Sequence, residues 1–165
     1  MRKQERKPKW IAGERFERTA RFQLRGQARD VFPLLCPVRE YEWFPEWSCK
    51  MVYSKSGVAE PDAVFHTREM HALPVVWTLI TYEPDSKIEY LMVSRRDAVV
   101  RLSILLQEGS EGSIEVTWRM LFTATSRLGK RLLPAAFSEE KFLGMIQKRE
   151  AELNCFLQTG QMIVT

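Results

Sequence analysis

The chain has 165 residues, 45% of them hydrophobic and 28% charged, the make-up of one ordinary globular domain rather than of a disordered or collagen-like chain. Its formal net charge of +4 is concentrated at one end: residues 1–9 hold five basic side chains against the single acid Glu5, and the rest of the chain is balanced. A neutral domain lacks the basic face of a nucleic-acid binder, so no specific nucleic-acid partner is expected, and no apolar run approaches the roughly 18–20 residues of a membrane span.

Residues 1–12 read as a basic flexible tail and 13–162 as a single domain. The charged start has no apolar segment behind it and does not read as a secretion signal. Cys36, Cys49 and Cys155 are odd in number and form no CxxC, so reduced thiols in a cytoplasmic protein are expected, with no metal and no cofactor.

In Arg15–Arg25, Phe16, Ala20, Phe22 and Leu24 share one parity while Glu17, Thr19, Arg21, Gln23 and Arg25 share the other. That alternation predicts a half-buried strand, ended by Gly26. Residues 28–35 predict a short helix made irregular by Pro33, which lacks a helical N–H. Residues 38–44 predict a second short piece, rich in aromatics and stopped by Pro45. Six more strands are predicted over 48–54, 63–70, 74–82, 87–94, 99–107 and 113–125. Short turn segments such as Pro84-Asp85-Ser86 separate them, which makes neighbours antiparallel. In the last strand Val116, Trp118, Met120 and Phe122 form the predicted inward face.

Residues 127–133 read as a charged connector with Gly129, followed by Pro134, placed to act as a lip over any cavity. Ser138 then reads as an N-cap, with Glu139 and Glu140 in the first turn of a helix over 139–159 closed by Gly160. Its stripe is Phe142, Met145, Ile146, Leu153, Phe156 and Leu157, with Arg149 on the same line and Gly144 within the helix.

Lengths agree across these elements. A helix of about 21 residues spans roughly 32 Å, and a strand of about 11 residues about 36 Å. A helix about 10 Å wide cannot cover seven strands. The sheet must curl around it, and a curled sheet gripping one helix leaves a space between them. The expected architecture is α+β, a seven-stranded curved antiparallel sheet wrapped around a long C-terminal helix, with two short helices after the first strand.

This order, with the opening "FQLRGQARDVFPLL", the aromatic "VREYEWFPEW" and the final "FSEEKFLGMIQKREAELNCFL", resembles the START-like, helix-grip superfamily over about residues 15–161. That group includes polyketide cyclase/dehydrase-like, pollen-allergen-like and lipid-transfer proteins. The resemblance implies a cavity between helix and sheet that holds an apolar or amphipathic small molecule, and it implies no particular reaction.

Residue chemistry narrows this further. HExxH, GxSxG and P-loop motifs are absent, and the two histidines, His66 and His71, have no carboxylate partners at metal-ligand spacing. His66 sits at a strand parity that faces either cavity or solvent, and His71 falls in a turn. Trp43 belongs to an aromatic cluster with Tyr41, Phe44 and Trp47 that reads as a plug seating the short helices or as a cavity rim. The candidate cavity residues are Trp43, His66, Trp77, Tyr90, Trp118, Met120, Phe142, Gly144, Met145 and Arg149, with Gly144 making room under the helix and Arg149 presenting a cation to an anionic head group. Three functions stand: a carrier of a hydrophobic small molecule, a cyclase- or dehydratase-like enzyme, and a protein-interaction subunit with a vestigial cavity. The scarcity of histidine favours binding over catalysis.

Overall fold

The computed structural model describes residues 13–68, 75–94, 97–110 and 112–163. The expected tail over 1–12 and the turn holding His71 lie outside the described residues. Among the described residues, seven strands form one antiparallel sheet: β1 (Arg15–Arg25), β2 (Cys49–Tyr53), β3 (Val64–Thr67), β4 (Val75–Glu83), β5 (Lys87–Val93), β6 (Ala98–Glu108) and β7 (Ser113–Ala124). The strand order is β1-β7-β6-β5-β4-β3-β2. Strands β2 to β7 are a meander, as short turns demand. Strand β1 crosses to the far side and pairs with β7, with Ala20 opposite Trp118 and Phe22 opposite Val116. The two alternations thereby put their apolar parities on one face. Strand β6 adds its own parity to that face, with Leu102 opposite Met120 and Ile104 opposite Trp118. These residues are buried and form the floor of the core.

Between β1 and β2 the chain makes α1 (Ala28–Val31), then a 3-10 turn over Phe32–Leu35 and another over Glu40–Glu42. Pro33 lies in the first turn of its 3-10 segment, where a missing N–H costs nothing. The short helix expected over 28–35, made irregular by Pro33, is an α-helical turn that passes into a 3-10 turn at Phe32.

The expected connector over 127–133 is a helix, α2 (Arg127–Ala136), which precedes α3 (Glu139–Thr159). Its seat on β6 explains the difference. Ser126 caps the helix by accepting the Gly129 N–H at 2.9 Å, while its hydroxyl donates to Asp97 Oδ1 at 2.9 Å. Gly129 rests so close to the chain before β6 that a Cβ there would lie 2.1 Å from the Asp97 carbonyl oxygen. Tertiary packing thus holds a segment in which Gly129 and Pro134 both disfavour helix. Two helices, not one, cover the inner face of the sheet.

Helix α3 starts at the Ser138 cap and stops at Gly160, whose φ of 68° is the left-handed conformation glycine tolerates. It also guards the outer edge of β1. Asn154 Oδ1 accepts the Arg25 N–H at 3.0 Å, and Asn154 Nδ2 donates to the Gln23 carbonyl at 3.0 Å. Glu150 Oε1 accepts the Gln23 N–H at 3.4 Å. Side chains of α3 so replace the missing neighbour strand.

Candidate functional site: a cavity between sheet and helices

A cavity of about 140 Å³ lies between the inner face of the sheet and the helices, many times the ~10–15 Å³ that one water needs. The sheet supplies Phe65, Trp77, Tyr90, Leu102, Trp118 and Met120. The segment after α1 supplies Trp43, Phe44 and Trp47; α2 supplies Gly129, Leu132 and Leu133; and α3 supplies Met145 and Arg149. The aromatic plug and the cavity wall are the same residues. Phe44 contacts Trp47 at 5.6 Å between centroids, Trp47 meets Phe65 at 6.4 Å, and Phe65 stacks on Trp77 at 5.9 Å with 2° between planes. Tyr41 stands apart, half exposed, with its hydroxyl bonded to the Cys49 backbone.

The structure brings seven of the ten candidates to the wall: Trp43, Trp77, Tyr90, Trp118, Met120, Met145 and Arg149. The other three lie elsewhere. His66 sits between the inward residues Phe65 and Thr67, opposite Lys50 and Val76, on the outer parity of the sheet. Phe142 is 1% exposed and belongs to the packed core rather than the cavity wall. Gly144 is exposed, and a Cβ there would meet nothing within 4 Å. It faces outward because two residues advance a helix by about 200°, placing it opposite Phe142. Gly144 therefore makes no room under the helix, contrary to the sequence expectation. The room comes from the separation of sheet and helices itself.

Most polar groups of the wall are already engaged. Tyr90 donates to the Leu35 carbonyl at 3.0 Å, Trp77 Nε1 to Thr67 Oγ1 at 2.9 Å, Trp43 Nε1 to the Leu34 carbonyl at 2.8 Å, and Trp47 Nε1 to the Pro37 carbonyl at 2.7 Å. Burial first, and the nearby Glu40 carboxylate second, push the Tyr90 phenol well above its usual range, so it stays protonated at neutral pH. Trp118 is different: its Nε1–H is buried and has no acceptor among the described residues.

Arg149 is the cation of the wall. Its guanidinium carbon lies 3.3 Å from the Phe44 ring centroid, and Nη1 donates to Glu152 Oε2 at 2.5 Å. The two side chains are 13% and 3% exposed. Sequence reasoning found Arg149 but missed Glu152, whose Oε1 is buried without a partner among the described residues. The signal was present: Glu152 is three residues on, in reach on one helix face. Glu40 and Asp97 also reach the cavity wall. Among the described residues, no group of three His, Cys, Asp or Glu side chains could hold a metal ion, and no helix is long and apolar enough to cross a membrane.

No family profile matches the chain, and no curated protein matches it in sequence. Solved structures do match it. Norcoclaurine synthase from Thalictrum flavum, in complex with dopamine and hydroxybenzaldehyde, superposes with a TM-score of 0.65 at 8% identity, over 96% of this chain and 98% of that one. The Mll3558 protein from Rhizobium loti gives 0.62 at 13% identity, over 87% of this chain and 100% of the other. The fold is helix-grip. DynU16, from the dynemicin biosynthetic locus, shares this helix-grip fold with a TM-score of 0.58 at 13% identity, over 88% of this chain and 48% of DynU16. At such identities the likeness is one of fold, and function must be argued from the cavity.

Proposed function

We propose that this helix-grip protein binds an apolar or amphipathic small molecule in the cavity between its sheet and helices. The observation that carries this reading is a preformed cavity walled by aromatic, leucine and methionine side chains whose polar atoms are mostly engaged, with backbone carbonyls and the Thr67 hydroxyl. Such a wall offers an apolar body little but contact area. Two features give the ligand an orientation. Trp118 Nε1–H lacks an acceptor, and Arg149 carries five N–H donors of which its bond to Glu152 uses one. A ligand with an apolar body and one acceptor-rich end, placed toward Arg149, fits this arrangement.

Titration with an anilinonaphthalene sulfonate dye, an apolar body with one anionic end, tests the reading. Micromolar binding is expected, and Met145→Trp, which places bulk in the cavity, should weaken it at least about tenfold while the protein stays folded. Dye binding unchanged in that variant would place the ligand elsewhere.

A second reading, a cyclase-like enzyme, is favoured by Glu40 and Asp97, two acidic residues that border the cavity and could supply proton transfer. Norcoclaurine synthase shows that this fold accommodates an enzyme. Turnover that falls with Asp97→Asn or Glu40→Gln marks the enzyme, and binding without turnover marks the carrier.

A further inference from the structure

We propose that the outward face of α2 docks the protein on an anionic lipid surface, with the cavity mouth against the lipid. Helix α2 turns Gly129 and Leu133 inward and leaves Leu128 and Leu132 outward, 56% and 50% exposed. The two leucines are four residues apart, one above the other on the helix, and Ala135 and Ala136 extend their row. Arg127 and Arg131 each precede a leucine, so they form a parallel exposed row beside it. Lys130 completes three cations, and the helix contains no acidic residue. Among the described residues, none of the three cations takes part in an ion pair. An exposed apolar row flanked by unpaired cations is the pattern of a helix lying in a lipid interface: the leucines enter the acyl boundary and the arginines meet anionic head groups.

The place of α2 in the fold favours lipid over an acidic protein. Leu132 and Ala136 are exposed and also border the cavity, so the leucine row runs into the cavity mouth. A surface that accepts these leucines is continuous with an apolar interior. An apolar molecule leaving the lipid there need not cross water. The docking face itself does not depend on what occupies the cavity.

The test uses the full chain and vesicles of phosphatidylcholine, with and without about a quarter phosphatidylglycerol, in a flotation assay. The expected result is binding to the anionic vesicles that declines with added salt. Removing both arginines in Arg127→Ala/Arg131→Ala should weaken it about thirty-fold, about fivefold for each cation lost. Leu128→Ser should weaken it at every salt concentration. Neither variant touches the cavity wall, so both should bind the anilinonaphthalene dye as the unaltered chain does. That readout separates failure of the docking face from failure of the cavity reading. The basic residues 1–9 remain in every variant, so wild-type vesicle binding by both variants would assign the effect to those residues and overturn the proposal. Equal binding to vesicles with and without phosphatidylglycerol, or to neither, would also overturn it, the latter leaving an acidic protein as the occupant of this face.

Discussion

Glu89 points to the outer face of the sheet yet is 3% exposed. Burial pushes its carboxyl up, but hydrogen bonds from Arg101, Ser103 and Thr81 outweigh that and hold it down at about 2. The bonds measure 2.7, 2.5 and 2.7 Å, and Lys87 adds an ion pair at 3.3 Å. A carboxylate with a depressed folded pKa stabilises above its unfolded value, and that stability disappears as pH falls from about 4.5 toward about 2. Urea unfolding should therefore show a loss on the order of 2 kcal/mol between about pH 6 and pH 3 from this group. Glu89→Gln should be less stable at pH 6 and should lose less on acidification. An unchanged acid loss in the variant would move the effect to other carboxylates. Gly129 presents a contest of two terms. Alanine would favour the helix by about 1 kcal/mol, but its Cβ would sit 2.1 Å from the Asp97 oxygen. Backbone must move to relieve that clash, at about 1–3 kcal/mol or more. Gly129→Ala should lower the melting temperature; a rise would mean that α2 is not seated as described.

Helices α2 and α3 show how one element can carry several tasks. On α3, Phe142, Ile146 and Leu153 fill the core, Met145 and Arg149 face the cavity, and Glu150 and Asn154 stopper the edge of β1. Gly144 belongs to none of these faces. It is exposed with open space around it, so Gly144→Ala should stabilise the protein by about 1 kcal/mol through helix propensity alone. Thermal unfolding measures the gain, and dye affinity should not change. A loss of dye binding in that variant would put Gly144 back at the cavity. On α2, the cap at Ser126, the contact at Gly129 and the buried Leu133 are all directed at the sheet. The outward Leu128 and Leu132 are left half exposed.

The whole molecule encloses space because its sheet has more inner face than two helices cover. A ligand that binds only the folded state stabilises it by mass action, by about 2.7 kcal/mol at one hundred times its dissociation constant. The anilinonaphthalene dye should raise the melting temperature accordingly, and Met145→Trp should abolish that rise. A rise that persists in the variant would indicate binding outside the cavity.

The strands were legible because period-two alternation and turn residues are local signals, and α3 because its stripe, N-cap and glycine stop are local too. Six of the seven candidate side chains at the cavity wall reach it for the same reason: parity on β4 to β7 and the stripe on α3 fix their directions once one face is inward, while Trp43 is held from the segment after α1 by its bond to the Leu34 carbonyl. His66 escaped because Val64, His66, Arg68 and Phe65, Thr67 give β3 no clear polar parity, so its facing depended on β4. Gly144 was misread although helical geometry alone places it opposite Phe142. Helix α2 was hidden because glycine and proline argue against helix locally, and only its seat on Asp97 overrides them. The pairing of β1 with β7 joins residues as far apart as Ala20 and Trp118, and the Arg149–Glu152–Phe44 contact joins α3 to a loop of the first third of the chain. The sequence by itself determined which faces are apolar. Only the tertiary structure decided which faces meet, because that choice depends on distances between segments that no local pattern encodes.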